Sequence, residues 1–346
     1  LQNKCKVFAR IGVGSKISAM IYKNLNEKYL ERNFFSKDLI DLVYKKFDKN
    51  KSNEIKNYIN ERFKGNPNYS VEHGIEEDNQ YKFSKEKNLI YEYTKNDLCE
   101  KYNWDVNKPI VVLFANDLTD GVFKFKWKIF KDNLTGIQET LKIIKKIKYI
   151  NWLIKPHPGD VKLKVITTTD KEVLKLSKEY DNIRLFPNNF GNSSLPNIIS
   201  AAVTLSGSVG YEYPSIGIPS IICTGTNYAG NGFNYEAHSI KEYEELLRNA
   251  HKLDSLTDEQ VFKAQSFIYT HYILTKVKTS FIPKAENQIS GGYDDFNFWK
   301  NFEILIDKYN FQEDPFYKNF KIQLEKNDRH TINYNFKDNK SYAIKT

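Results

Sequence analysis

From Lys108 onward, short apolar runs alternate with stretches that have the spacing of amphipathic helices. Alternation of this kind is typical of a parallel sheet whose strands are joined by crossover helices. Apolar runs this short suit strands that are buried on both faces. The predicted strands are 110–115, 152–155, 183–186, 202–205 and 220–223. The sequence therefore predicts an α/β fold with a doubly wound parallel sheet.

Helical spacing recurs in the rest of the chain. The predicted helices are 15–31, 36–47, 52–63, 96–102, 134–148, 171–180, 195–200, 210–216, 240–250, 257–272 and 296–309. We expect three regions: a helical N-terminal domain (1–105), a Rossmann-like domain (106–285), and a C-terminal helix with an extended tail from Asn327 (286–346). The first region is short and mostly helical, which leaves little room for a complete β-sheet. We therefore expect an N-terminal domain that is reduced or truncated in comparison with a full sheet domain.

The composition narrows the classes of protein to which this chain can belong. At 346 residues, of which 40% are hydrophobic, the chain is long enough to bury a packed core. Cys5, Cys99 and Cys223 lie far apart, which argues against a disulfide framework and a structural zinc site and favours a reducing compartment. The six histidines form no HExxH pair, so we expect no protein-held metal.

The net charge of +9 is compatible with an anionic partner, but lysine and asparagine are abundant throughout the chain, so a general bias of composition explains the charge better. Acidic residues are interspersed among the lysines, and no compact basic helix or nucleic-acid module is present, so we expect no nucleic-acid partner. A phosphorylated substrate and an anionic membrane surface are the partners that the charge leaves open. With no run of about 18 apolar residues and no leader peptide, we expect a soluble, cytoplasmic protein.

A histidine between two prolines follows the second predicted strand of the sheet, in the segment Lys155-Pro156-His157-Pro158. Open parallel sheets bind ligands at the carboxyl ends of their strands. The prolines stiffen the turn, so His157 is a candidate to donate a hydrogen bond to a leaving phosphate, with Lys155 adding charge. A structural histidine in a proline-rich turn is the alternative.

The fourth predicted strand runs into a loop of small residues, Ser206-Gly207-Ser208, followed by Gly210 at the start of a predicted helix. Loop amides, hydroxyls and a helix start together suit an anion, and the glycines permit close approach. Glu212, on the first turn, is a candidate to accept hydrogen bonds from a ribose, with simple compensation of the helix dipole as the alternative.

Two further loops leave carboxyl ends of predicted strands. Asn116, Asp117 and Asp120 follow the first strand. Either acid is a candidate general base for an acceptor hydroxyl, with Asp120 preferred, and an Asx turn or a helix cap is the alternative. Thr226 and Tyr228 follow the last strand and are candidates to contact a sugar or a nucleotide, with a plain surface turn as the alternative.

The motifs WLIKPHP, LSGSVGYEYPSIGIPS and VVLFANDLTDG resemble those of the bacterial capsule-polysaccharide biosynthesis family. That family includes transferases that use CMP-activated 3-deoxy-manno-octulosonate (Kdo), and it is similar in outline to bacterial sialyltransferases. The resemblance covers roughly residues 105–335. It implies a GT-B-like architecture, a donor phosphate held by Ser206, Ser208 and His157, and Asp120 as the base.

The activity implied by the resemblance is metal-independent transfer of a sugar from a nucleotide donor to a capsular or other surface polysaccharide. It implies no cofactor besides the nucleotide-sugar co-substrate, a polysaccharide or lipid-linked acceptor, further capsule-assembly proteins as partners, and a location at the inner face of the membrane. A CDP-glycerol-type phosphotransferase, a nucleotide-sugar 2-epimerase and a non-catalytic carbohydrate-assembly subunit are the alternatives.

Overall fold

A computed structural model describes residues 8–11, 16–21, 37–64, 92–118, 127–157, 168–187, 191–281 and 296–333. The strands in these ranges are β1 (Phe8–Ile11), β2 (Lys16–Ile21), β3 (Ile110–Phe114), β4 (Asn151–Lys155), β5 (Ile183–Leu185), β6 (Ala201–Thr204), β7 (Ser220–Ile222), β8 (Tyr235–Glu236) and β9 (Val277–Lys278). The α-helices are α1 (Lys37–Lys46), α2 (Lys49–Phe63), α3 (Lys95–Tyr102), α4 (Asn133–Ile144), α5 (Thr169–Leu176), α6 (Val209–Glu212), α7 (Ile240–Asn249), α8 (Asp258–Tyr269), α9 (Phe296–Lys308) and α10 (Pro315–Lys326). Short 3₁₀ turns cover Asn192–Asn197, Pro214–Ile216 and Phe311–Glu313, and a π-helical turn covers Thr270–Leu274.

The large sheet of the described chain is parallel throughout, in the order β5-β4-β3-β6-β7-β8. The chain starts at β3, adds β4 and β5 on one side, and then crosses back to add β6, β7 and β8 on the other. Counted within the sheet, this order is 3-2-1-4-5-6, the order of Rossmann nucleotide-binding folds. The strand order therefore reverses between β3 and β6, and the predicted doubly wound α/β fold is confirmed.

Helices cover both faces of this sheet. On one face, α4, α5 and α7 pack against alternate residues of the strands, with Ile137, Val173 and Leu247 in one core with strand residues. The strand residues of that core include Val111, Leu113, Trp152, Ile154, Ala201, Val203 and Ile221. On the other face, Tyr213 packs between Phe114 of β3 and Phe63 of α2, with ring centroids 5.3 and 5.1 Å apart. Strands buried on both faces explain why the sequence shows continuous apolar runs instead of alternation.

Helices α3 and α4 begin at polar side chains that cap their first turns. Asp132 accepts a hydrogen bond from the amide of Thr135 at 2.7 Å and so begins α4. Thr94 and Asp97 form a capping box at α3. Side chains of this kind satisfy amides that have no partner within the helix.

The chain divides into two compact units. The larger unit contains residues 47–69 and 79–268 and holds the parallel sheet. The smaller contains 1–46, 70–78 and 269–346, and in it β1, β2 and β9 form an antiparallel sheet. This division differs from the predicted boundaries after residues 105 and 285, because α2 packs on the parallel sheet and β9 pairs with β2. Within the described ranges, no helix is long and apolar enough to cross a membrane.

In the smaller unit, the structure corrects two predictions and adds one helix. Lys16–Ile21 is a strand and not part of a helix, because it pairs with β1 on one side and β9 on the other. Helix α10 was not predicted. The predicted extended tail is buried in its first part: Thr331 is fully buried, its amide donates to the carbonyl of Ala19 at 2.8 Å, and Arg329 accepts from the amide of Ile21. The segment 328–332 therefore belongs to the core of this unit.

Most of the other predicted strands and helices are present in the structure. The five predicted strands are confirmed to within one residue at either end, and the helices predicted at 36–47, 52–63, 96–102, 134–148, 171–180, 240–250, 257–272 and 296–309 are present with small shifts at their ends. The helix predicted at 195–200 is instead the 3₁₀ turn Asn192–Asn197, which contains Pro196. The short strand β8 was not predicted.

Asp314 joins the start of α10 to the chain that follows β9. One carboxylate oxygen caps the helix, accepting from the amides of Phe316 and Tyr317. The other accepts from the Ser280 amide at 2.9 Å and the Tyr309 hydroxyl at 2.7 Å. Burial by itself raises the pKa of this carboxyl, but the hydrogen bonds outweigh burial and leave the pKa below its usual value.

We expect Asp314→Ala to lower the free energy of unfolding by about 2–3 kcal/mol, because a cap is lost and buried donors lose their acceptor. The pKa of Asp314 is lower in the folded state than in the unfolded state. Its stabilisation is therefore present above the unfolded pKa of about 3.9 and is lost as pH falls through the folded value. Urea unfolding at pH 7 and pH 3 measures both effects. Asp307→Ala, which removes an exposed carboxylate of α9, is the control and should change the free energy by less than about 0.5 kcal/mol.

Candidate functional site

The polar loops predicted from the sequence meet at one edge of the parallel sheet. Asn116 and Asp117 follow β3, His157 follows β4, and the loop 206–208 follows β6. These three strands are neighbours, and β3 and β6 are the pair at which the strand order reverses. Ligands of open α/β sheets bind outside the carboxyl ends of the strands at this point. The topology therefore selects this edge as the candidate site.

Asn116 bridges the gap between the ends of β3 and β6. Its Oδ1 accepts hydrogen bonds from Thr204 Oγ1 at 3.1 Å, from the Leu205 amide at 3.2 Å and from the Ser206 amide at 3.3 Å. Its Nδ2 donates to Ser206 Oγ at 2.8 Å. Asn116 was predicted to contact a sugar or a nucleotide, and the structure shows instead that both ends of its amide hold the loop after β6.

Two glycines let this loop pass close to its neighbours. A Cβ on Gly207 would lie 2.9 Å from Thr204 Oγ1, and a Cβ on Gly210 would collide with the Tyr228 ring. The Tyr228 hydroxyl donates to the Gly207 carbonyl at 2.7 Å, and burial raises the pKa of this phenol. Tyr228 and Thr226 are only 1% and 2% exposed. Both were predicted as ligand contacts, but they lie in the core and support the loop from below.

The helix that begins after Ser208 is shorter than predicted. Pro214 lacks an amide hydrogen, so α6 ends at Glu212 and a 3₁₀ turn follows. The amide of Gly207 is engaged by Thr204 Oγ1 at 3.0 Å. Within the described ranges, the amides of Ser208 and Val209 donate to no other group. Of the amides of this loop, those of Ser206 and Gly207 are already engaged, so only those of Ser208 and Val209 are left to donate to an anion.

His157 and Asp117 face each other across the ends of β4 and β3. His157 Nδ1 lies 3.8 Å from Asp117 Oδ2, longer than a direct hydrogen bond. The histidine side chain is 42% exposed and the aspartate 17%. The imidazole is therefore accessible at the edge of the crevice with a carboxylate beside it.

Lys155, the last residue of β4, lies half-buried beneath this edge. Its ammonium donates to Asn192 Oδ1 and lies 4.6 Å from the centre of the Phe186 ring. Burial lowers the pKa of Lys155 to about 8, although the carboxylate of Glu212 acts to raise it. Removal from water disfavours the charged form, so this lysine titrates far below an exposed one.

Glu212 was predicted to accept hydrogen bonds from a ribose, and the structure gives its carboxylate another partner. Arg62 of α2 donates from Nε to Glu212 Oε1 at 2.7 Å, with side-chain exposures of 14% and 6%. Together with Lys155, the pair forms a group of two cations and one anion that carries a net positive charge at this edge of the sheet.

No family model and no curated protein matches the sequence. Among solved structures, the chain is similar to a beta Kdo 2,4 transferase, KpsC of Thermosulfurimonas dismutans, at 11% identity and a TM-score of 0.40, covering 80% of this chain and 75% of that one. A beta Kdo 2,7 transferase, also KpsC of Thermosulfurimonas dismutans, is similar at 14% identity and a TM-score of 0.41, covering 88% of this chain and 78% of that one. Sucrose-phosphate synthase of Thermosynechococcus elongatus is similar at 14% identity and a TM-score of 0.33, covering 52% of this chain and 46% of that one. TM-scores this low assign the chain to no family.

The structure brings most of the predicted residues to one edge, but one lies outside its description. Asp120, the predicted base, is not among the described residues, so its role stays a prediction. Asp117, the other acid of this loop that the sequence offered as a base, lies beside His157. One residue of the site, Arg62, was missed by sequence reasoning. Arg62 lies 150 positions from Glu212 in the chain, and no local pattern connects them.

The described groups suit the recognition of an anion. Ser206 and Ser208 contribute hydroxyls, Lys155 and Arg62 contribute positive charge, and His157 offers an imidazole at the rim. In the described ranges, no three His, Cys, Asp or Glu side chains are grouped as a metal ion would require. Hydroxyls and a lysine at a Rossmann switch point fit a phosphate group.

We expect anion affinity at this site to fall as pH rises through about 8, because Lys155 loses its proton there. Titration of CMP at pH 7 and pH 9 should show a loss of about 10-fold in affinity. The phosphate of CMP has a second pKa of about 6 and is already mostly dianionic at pH 7, so its own ionisation changes little over this range. Lys155→Arg keeps its charge and should show no such fall. An equal fall in both proteins would contradict the assignment.

Proposed function

We propose that the chain is a glycosyltransferase that moves a sugar from a nucleotide-activated donor to a capsular or other surface polysaccharide. One observation carries the proposal: the lysine and imidazole at the end of β4 and the serine hydroxyls after β6 lie on either side of the end of β3, where the order of a 3-2-1-4-5-6 sheet reverses. That crevice is the place at which sheets of this order bind nucleotides.

In this proposal Ser206, Ser208 and Lys155 bind the donor phosphate. The positive charge of Arg62 neutralises the negative charge of the nearby Glu212. Because the sequence motifs resemble the capsule family, CMP-Kdo or a similar CMP-activated sugar is the favoured donor. The protein needs no cofactor besides this co-substrate, and no metal takes part. The GT-B plan, with a second domain for the acceptor, belongs to the proposal as well.

The proposed reaction takes place at the anomeric carbon of the donor sugar. The acceptor hydroxyl oxygen forms a bond to the anomeric carbon of the sugar, and the bond from that carbon to the phosphate oxygen breaks with its electrons going to the phosphate. Asp120 takes the proton of the acceptor hydroxyl. His157 donates a hydrogen bond to the phosphate as negative charge develops on it, which lowers the barrier more than it strengthens ground-state binding.

The test is a transfer assay with a panel of CMP-, UDP- and GDP-sugars and oligosaccharide acceptors, followed by product analysis. We expect a new glycosidic bond from one class of donor, and a large loss with Ser208→Ala. A phosphodiester product would show a CDP-glycerol-type transferase, and an epimerised free sugar would show a 2-epimerase. Binding of nucleotide without turnover on any acceptor would show a non-catalytic subunit.

The acceptor determines where such an enzyme works. If the acceptor is a lipid-linked glycan, the net charge of +9 suits attraction to the anionic inner face of a membrane. Sedimentation with vesicles that contain anionic lipid, compared with neutral vesicles, tests this part of the proposal, as does pull-down of other capsule-assembly proteins.

A further inference from the structure

The orientation of the Asn116 amide is fixed by its neighbours. The backbone amides of Leu205 and Ser206 can only donate, and both point at the same side-chain atom of Asn116. That atom must be the oxygen, since a nitrogen of an amide cannot accept. The nitrogen therefore faces Ser206 Oγ, at 2.8 Å.

The same reasoning gives the loop a directed series of hydrogen bonds. The Gly207 amide donates to Thr204 Oγ1 at 3.0 Å, so the Thr204 hydroxyl hydrogen is left to donate to Asn116 Oδ1. Asn116 Nδ2 then donates to Ser206 Oγ. Hydrogen bonds in series polarise one another, so the last donor in the series is strengthened.

The hydroxyl hydrogen of Ser206 is the end of this series. Ser206 Oγ accepts from Asn116, so its own hydrogen points away from Asn116. Within the described part of the chain, no acceptor takes that hydrogen. Ser206 is half-buried and lies after the carboxyl end of β6, where the strand order reverses between β3 and β6.

We propose that Asn116 is a positioning residue that turns the Ser206 hydroxyl hydrogen toward the ligand, so that Ser206 donates to a phosphate oxygen. This inference rests on the proposed function, because it takes the ligand to be the phosphate of a nucleotide. It adds to that function a reason why the site favours an acceptor oxygen at this place, because the hydroxyl hydrogen is already directed toward it.

Asn116→Asp tests the direction of the series with little change in shape. A carboxylate can still accept from the Thr204 hydroxyl and the two amides, but it cannot donate to Ser206 Oγ. The Ser206 hydrogen then turns inward to the carboxylate and is lost to the ligand. We expect the affinity for CMP, measured by calorimetry at pH 7, to fall about 10-fold or more through this loss and the added charge.

The decisive measurement is a double-mutant cycle with Ser206→Ala. If Asn116 acts through Ser206, Asn116→Asp should weaken CMP binding clearly less in the Ser206→Ala protein than in the native protein. Asn227→Asp, which adds the same charge after β7 outside this series, is the control for charge alone. Equal losses from Asn116→Asp in both backgrounds, matched by Asn227→Asp, would overturn the proposal.

Two further results keep the proposal separate from folding and from the proposed function. If Asn116→Asp does not fold, Ser206→Ala alone decides: it should lower CMP affinity about 10-fold with little change in Tm, and an unchanged affinity overturns the proposal. If the native protein binds CMP and the cycle shows no coupling, the inference fails while the proposed function stands. If the native protein binds no nucleotide, both fail.

Discussion

His157→Ala is expected to lower kcat for sugar transfer by about 10²- to 10³-fold, the largest catalytic loss that we predict for a residue of the described site. His157 is 42% exposed beside Asp117 at the carboxyl end of β4, where a leaving phosphate would be bound. A donor that acts on developing charge affects the transition state more than the bound substrate, so kcat and kcat/KM should fall together. Steady-state kinetics over a range of donor concentrations measures both constants.

His251→Ala is the matched control for this variant. His251 packs edge-on against Tyr149, which precedes β4 at the opposite edge of the sheet, with ring centroids 5.1 Å apart. Its removal should leave kcat within about twofold of the native value, since it is far from the developing charge. A native kcat in the His157→Ala protein would contradict the role of this imidazole, and a change confined to KM would reduce the role to ground-state binding.

Arg62→Ala is expected to lower the free energy of unfolding by about 3–5 kcal/mol, because it leaves the carboxylate of Glu212 buried without its partner. The two side chains are 14% and 6% exposed and lie 2.7 Å apart. Lys155, whose charge also interacts with Glu212, offsets part of the loss. Urea unfolding followed by circular dichroism measures the change.

An exposed pair of the same length is the natural control. Lys142 and Glu139 on α4 also lie 2.7 Å apart, but their side chains are 63% and 39% exposed. Lys142→Ala should lower the free energy of unfolding by less than about 1 kcal/mol, since water already solvates both charges. The double variant Arg62→Met with Glu212→Leu should be more stable than Arg62→Ala. If Arg62→Ala costs no more than Lys142→Ala, the pair does not hold α2 to the loop.

Five strands of the parallel sheet were predictable because each is a short apolar run that can be recognised within its own sequence. Strands such as Ile110–Phe114 are continuous apolar runs, and they are buried on both faces as such runs require. Strand β2 was not predictable in this way. Its sequence, KISAMI, follows a serine that can cap a helix, and its strand conformation depends on pairing with β9, more than 250 positions later. Tertiary pairing of this kind overrides local propensity.

The same distinction holds at the site. Ser206, Ser208 and His157 were predicted because each follows a strand, and topology brings the ends of parallel strands to one edge. The roles of Asn116 and Arg62 were not predicted, since they depend on which atoms a side chain faces after folding. Asn116 looked like a ligand contact from its place after β3, whereas its amide is engaged by the loop after β6.

Calorimetric titration of CMP, CDP, UDP and GDP into the native protein tests the central claim most directly, because the claim is that the β3–β6 crevice holds a nucleotide phosphate. We predict one binding site per chain with a preference for CMP, and a loss of affinity of about 100-fold in the double variant Ser206→Ala with Ser208→Ala, at an unfolding temperature close to native. Absence of binding by all four nucleotides, or binding that the double variant leaves unchanged, would contradict the assignment of this crevice.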